Sequence, residues 1–146
     1  MRISEEIKEQ LNNYFLQEKD ITAVYIFGSY GTERETPLSD MDFAVLFTEF
    51  SEVDLQREME IMAQLTLILN KEEIDLVNLN RAPVCLQHDI IKTGDLIFEG
   101  DEETVADFVR QVLTFYYDEK IRAEKFYTLY EKALKEEYCG ERRNSE

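Results

Sequence analysis

The seven-residue segment ITAVYIF, Ile21 to Phe27, carries no charge, is rich in β-forming side chains and stops at Gly28. A run of that length and composition reads as a buried strand, with a short helix the alternative that periodicity leaves open. DMDFAVLF (Asp40 to Phe47), EIDLVNL (Glu73 to Leu79) and DLIF (Asp95 to Phe98) repeat the pattern. Between these runs the apolar period lengthens. Ile7, Leu11, Tyr14 and Phe15 form one helical stripe behind a Ser4 cap, with Glu5 and Glu6 favouring the helix dipole. Ser51 with Asp54 three residues on resembles a capping box. In the helix that follows, Leu55, Met59 and Met62 mark one face, with Glu58, Ile61, Leu65 and Ile68 beside it. Pro83 opens a third helix that Gly94 ends. Strands alternating with helices give an α/β (α+β) fold, a small sheet of mixed direction flanked by helices.

From Asp101 to Tyr138 the pattern stays helical, and a continuous helix of that length would span about 55 Å at 1.5 Å per residue. A domain of this size is only about 30–40 Å across. The helix therefore either breaks near Tyr117–Asp118 or projects. Tyr116, Tyr117, Phe126, Tyr127, Tyr130 and Tyr138 lie in this stretch, as core of a second helix or as a docking surface. No linker or repeat divides the chain, so residues 1–146 read as one domain, with a core of about 1–100 and a helical segment of about 101–138.

Charge narrows the function. Sixteen Lys and Arg against 32 Asp and Glu leave a net charge of −16. Such a field repels phosphate backbones and anionic membranes, so neither direct nucleic-acid binding nor membrane attachment is expected. No apolar run approaches a membrane span, the N-terminus does not read as a signal peptide, and Cys85 and Cys139 stand isolated. The expectation is a cytoplasmic protein whose chemistry runs on carboxylates rather than on its single His or two Cys.

Asp40 and Asp42 occupy alternate positions of a strand otherwise made of Met41, Phe43, Ala44, Val45 and Leu46. At i and i+2 both carboxylates face one way, and unpaired burial would cost several kcal/mol. Hard divalent cations, chiefly Mg²⁺, are the fitting complement; a turn residue followed by an edge-exposed carboxylate is the plainer alternative. Asp75 is another carboxylate inside an apolar strand, either satisfied on its own or converging with the first two if the strands are neighbours. Two Mg²⁺ ions would neutralise three converging carboxylates and clamp a phosphoryl displacement. Gly28 and Ser29, directly after a strand, form a turn able to hold a phosphate through backbone N–H groups and a hydroxyl.

Gly28-Ser29, ten intervening residues, then Asp40-Met41-Asp42 resembles the signature of the DNA polymerase beta-like nucleotidyltransferases, and the small size is similar to the minimal nucleotidyltransferase (MNT) group. The segment EIDLVNLNRAPVCLQHDIIKTGDLIFEGD resembles the MntA-type antitoxin adenylyltransferases. The resemblance implies a polymerase beta-like fold and an antitoxin that transfers AMP from ATP to a tyrosine of a HEPN ribonuclease toxin, its partner in a hetero-oligomer. It implies that Gly28 and Ser29 hold nucleotide phosphates and that Asp40, Asp42 and Asp75 are both catalytic residues and metal ligands. After Gly-Ser the sequence departs from the family's basic-small-basic-Gly stretch. Arg34 either replaces the missing basic residue on a phosphate or is a solvated loop charge. Two other functions fit the sequence: a non-catalytic module that masks its partner, and a nucleotidyltransferase acting on a small molecule.

Overall fold

A computed structural model describes residues 4–28, 41–49, 51–71 and 73–144, with the side chains of the last helix described through Glu136. The elements run α1 (Glu5–Gln17), β1 (Ile21–Phe27), β2 (Met41–Phe47), α2 (Leu55–Leu69), β3 (Ile74–Asn78), α3 (Val84–Thr93), β4 (Asp95–Glu99) and α4 (Glu102–Asn144). The four strands form one sheet in the order β3-β2-β1-β4. β1 is antiparallel to β2 and β4, while β2 and β3 are parallel, so the sheet is mixed as the sequence implies.

Each face of the sheet has its own core. On one face, Leu11 and Phe15 of α1 and Ile61 and Leu65 of α2 pack on Val24, Ile26, Phe43 and Val45. On the other, Ile90 of α3 and Val105 of α4 cover Ala23, Tyr25, Ala44 and Leu46. Alternation along β2, and along β1 from Ala23 onward, feeds both layers, which is why these strands read as continuous apolar runs rather than as hydrophobic-polar alternation. A register irregularity between Ile21 and Ala23 puts Ile21 in the other layer from Ala23. Each fully buried Leu, Ile or Phe contributes about 1.5–3 kcal/mol from its removal from water.

Two helix starts and one stop refine the sequence reading. Ser4 caps α1 as expected, its hydroxyl accepting from the Ile7 N–H at 3.3 Å. At α2 the cap is Asp54, not Ser51: the Asp54 carboxylate accepts from the Arg57 N–H at 2.9 Å. Ser51 is held instead in a turn by its own N–H to the Thr48 carbonyl. The inward stripe of α2 is Ile61, Leu65 and Leu69, at i, i+4 and i+8, whereas Leu55 and Met59 are 70% and 59% exposed. Arg57 explains the rotation, because its guanidinium is drawn to Asp20 and Glu18 at the α1–β1 turn and leaves Leu55 and Met59 outside. Gly94 does end α3, but in extended rather than left-handed backbone. Its need is spatial: a Cβ there would lie 2.5 Å from the Ile90 carbonyl oxygen and 3.1 Å from that of Ile26.

The C-terminal segment is one helix of 43 residues, about 65 Å long at 1.5 Å per residue, without a break near Tyr117–Asp118. Val105 and Val112 are buried against the body and Phe108 and Val109 pack beside them. Beyond this the helix projects: Phe115, Tyr117, Ile121, Phe126, Tyr127, Leu129 and Tyr130 are all at least half exposed. Phe126, Tyr127 and Tyr130 are therefore not core of a second packed helix, and the Tyr138 side chain lies outside the described ones. No described helix is long and apolar enough to cross a membrane.

Candidate active site

Three of the sequence-singled residues meet at one corner of the sheet. Asp42 is the second residue of β2; its neighbours across the ladders are Phe27 in β1 and Asp75 in β3. Direct partners in a parallel pair present their side chains to the same face. That face is the one α3 and α4 cover, since Asp42 alternates with Ala44 and Leu46. Asp42 is half-buried and Asp75 exposed, so the pair has a sealed side and an open side. Adjacent strands lie about 5 Å apart, and two ionised carboxylates at that separation repel by about 1–3 kcal/mol across effective dielectrics of about 20–80.

Gly28 completes the corner. It follows the last residue of β1, with φ at +86°, a backbone region that L side chains rarely adopt. A Cβ built there would run into Asp42 Oδ2. The bare backbone thus lets the Asp42 carboxylate lie directly against the chain as it leaves β1. Ser29, Arg34 and Asp40 lie outside the described residues. Among the described residues no group of three or more His, Cys, Asp or Glu is placed to hold a metal ion. What is present fits a hard divalent cation in chemical kind: two carboxylates on one face, one of them exposed and the other seated against a bare glycine backbone.

The rest of the DLVNLNRAP segment holds β3 and α3 in place. The Asn80 side chain accepts from the Phe47 N–H at 2.7 Å and donates to the Phe47 carbonyl at 3.0 Å, closing the end of β2. Asn78 Oδ1 accepts from the Asn80 N–H, and Gln87 donates to the Leu79 carbonyl at 2.8 Å. Ala82 turns back on the Asn78 carbonyl, and Pro83 leads into α3.

The titration shifts around Arg57 belong to a different place. Hydrogen bonds from the Arg57 guanidinium hold the Asp20 carboxyl below its usual range, the same contacts raise Arg57, and burial raises Tyr14. Asp20 precedes β1 and Gly28 follows it, so this cluster is structural and lies at the far end of the strand.

Sequence reasoning passed over His88. It is 8% exposed, stacks on Tyr116 with ring centroids 3.6 Å apart and planes 5° off parallel, and has no hydrogen-bond partner at Nδ1. No local signal marks it, because the stack joins α3 to α4 across 28 positions of chain.

The sequence profile described as "Polymerase beta, Nucleotidyltransferase" matches residues 9–103. The chain belongs to this nucleotidyltransferase family, and the mixed sheet with its flanking helices is that family's fold. No curated protein matches the sequence. Among solved structures, a toxin–antitoxin with AMP-PNP matches with a TM-score of 0.65 at 23% identity, covering 87% of this chain and 96% of that one. The tri-AMPylated Shewanella oneidensis HEPN toxin in complex with MNT antitoxin gives 0.64 at 21% identity, with 87% and 96% covered. The toxin–antitoxin MntA–HepT gives 0.62 at 20% identity, with 86% and 96% covered.

Proposed function

We propose that this protein is an antitoxin adenylyltransferase that moves AMP from ATP to a tyrosine of a cognate HEPN ribonuclease toxin and so neutralises it in the cytoplasm. The observation that carries the reading is the pairing of Asp42 with Asp75 across the β2–β3 ladder, beside Gly28. Membership in a nucleotidyltransferase family supports the reaction class. The likeness to complexes that contain AMP-PNP, or a HEPN toxin carrying AMP, supports the donor and the acceptor.

Asp42 and Asp75, with Asp40, would hold two Mg²⁺ ions. When bound, these supply charge neutralisation at the α-phosphate and at the departing pyrophosphate. Gly28 and Ser29, with Arg34, would hold the phosphates. The acceptor hydroxyl needs help from the chain's own carboxylates. A tyrosine has a pKa near 10, so only about one in a thousand is ionised at pH 7. Asp75, on the open side of the pair, takes the proton as the tyrosine oxygen bonds to the α-phosphorus. The bond from that phosphorus to the bridging oxygen breaks, and pyrophosphate leaves with the electron pair.

Intact mass spectrometry of the protein with its genomic neighbour's product, ATP and Mg²⁺ tests this directly. A gain of about 329 Da or its multiples on the neighbour is expected, since each transfer adds AMP less water. Asp42→Ala with Asp75→Ala, fold retained, should abolish it. The exposed aromatics of α4 favour one other reading, in which binding alone neutralises the partner. Undiminished neutralisation by that double variant, with no mass gain in the wild type, would establish masking instead.

A further inference from the structure

The seam between α3 and α4 holds a cavity of about 360 Å³ whose walls include His88, Lys92, Leu113, Tyr116, Tyr117 and Lys120. Its chemistry is the reverse of the rest of the molecule. On a chain with twice as many acidic as basic residues, two lysines border one cavity and neither is ion-paired among the described residues. Nearby Glu119 is taken by Arg122 at 3.3 Å. The walls are aromatic. His88 and Tyr116 form a parallel stack, Tyr117 stands edge-on to Tyr116 at 5.6 Å and 74°, and the Tyr117 ring is 54% exposed. The buried His88 Nδ1 in the same wall makes no hydrogen bond, its charged neighbour Asp89 Oδ1 standing 3.8 Å away with that carboxylate turned largely to solvent.

We propose that this seam is a binding site for a nucleoside monophosphate, independent of metal and of the Asp42–Asp75 pair. The lysines meet the phosphate, and the open Tyr117 ring receives the base by stacking. The volume lies at the lower end of the range for small-ligand sites and suits a mononucleotide better than a dinucleotide. A repulsive overall charge makes such a pocket of unpaired cations the favourable place for a phosphate to settle without Mg²⁺. Placement supports a nucleotide over an unrelated anion. α3 ends at Gly94, beside the Ile26 carbonyl, and Asp95 pairs with Ile26 one position before the Phe27–Asp42 pair. The seam and the carboxylates therefore share one face and one end of the sheet. The inference needs the chain to handle nucleotides and does not rest on the transfer reaction.

Equilibrium dialysis of the full chain with labelled AMP in excess EDTA is the test. Saturable binding is expected, unchanged in Asp42→Asn/Asp75→Asn and weakened at least tenfold in Lys92→Gln/Lys120→Gln. Tyr117→Ala should weaken it separately. Lys92, Tyr117 and Lys120 are exposed, so these variants retain the fold, which the near-UV spectrum verifies. Competition separates the two halves of the ligand: inorganic phosphate and adenosine should each displace AMP, both less well than unlabelled AMP. No saturable binding in EDTA would overturn the proposal, as would binding lost with the aspartates and indifferent to the lysines. Displacement by phosphate with none by adenosine would reduce the seam to an anion site and overturn the assignment to a nucleotide.

Discussion

Gly28→Ala probes the corner of the site through two separable costs. A φ of +86° is unfavourable for an L-residue by about 1–2 kcal/mol. Removing a glycine from the unfolded chain returns about 0.4–1 kcal/mol, leaving a net backbone cost of about 0–1.5 kcal/mol. The new methyl also meets Asp42 Oδ2, and a carboxylate pushed off its rotamer costs about a further 0.5–1.5 kcal/mol. The variant should therefore lose about 0.5–3 kcal/mol, a shift of about 0.25–1.5 M in the urea midpoint at a slope of about 2 kcal/mol/M. Asp42→Ala deletes the obstructing oxygen and Cγ, leaving Asp42 Cβ at an ordinary 3.6 Å. In that background Gly28→Ala should cost the backbone part alone, so the double-mutant cycle returns a coupling of about 0.5–1.5 kcal/mol. Whatever else Asp42 contributes cancels in the subtraction. Equal costs in both backgrounds would refute the contact, and a loss under about 0.5 kcal/mol in the wild type would refute the whole account.

Three further outcomes are expected. Asn80→Ala strands the Phe47 N–H and carbonyl at the end of β2 and should cost about 1–3 kcal/mol in urea denaturation, with Asn80→Asp recovering only the accepting half. The folded pKa of Asp20 lies below its unfolded value, so its stabilisation is full above the unfolded pKa near 4 and is lost as pH falls through the folded value. Arg57→Met should therefore cost about 1–2 kcal/mol at pH 7, allowing for solvent screening of a part-exposed cluster, and distinctly less at pH 3. Truncation after Ile121 removes a helical segment whose described side chains are all exposed except the half-buried Leu134, so stability should fall by less than about 0.5 kcal/mol in urea denaturation while helical ellipticity drops.

The strands were legible because a strand buried on both faces leaves an uninterrupted apolar run, and Ile21–Phe27 and Met41–Phe47 are such runs. The partnership of Asp42 with Asp75 was legible only as a condition. Parallel pairing of β2 with β3 is a non-local choice, and a slip of one residue would send Asp75 to the opposite face. The cap of α2 was misplaced because Ser51 and Asp54 are both good capping residues, and only the position of the first helical residue decides between them. Which apolar stripe of α2 turns inward was not legible, because Leu55 and Met59 are as apolar as Ile61 and Leu65, and the rotation of α2 goes with Arg57 reaching back 37 positions to Asp20. The His88 stack had no sequence signature at all. Ser29, Arg34 and Asp40, on which much of the family resemblance rests, stay proposals.

The projecting part of α4 changes how another molecule first meets this one. Residues 118–144 hold seven basic and seven acidic side chains, while residues 1–117 hold nine and 24. The projection is thus neutral and the body carries −15. At physiological salt the field of exposed charge decays over about 8 Å, whereas 27 helical residues reach about 40 Å. A molecule arriving at the tip feels almost none of the body's repulsion, so its capture rate there should hardly change with ionic strength. A molecule arriving at the sheet corner should be accelerated or slowed by salt according to its own charge. The long helix therefore gives the protein two electrostatically separate approaches, one indifferent to the charge of the visitor and one that selects by it.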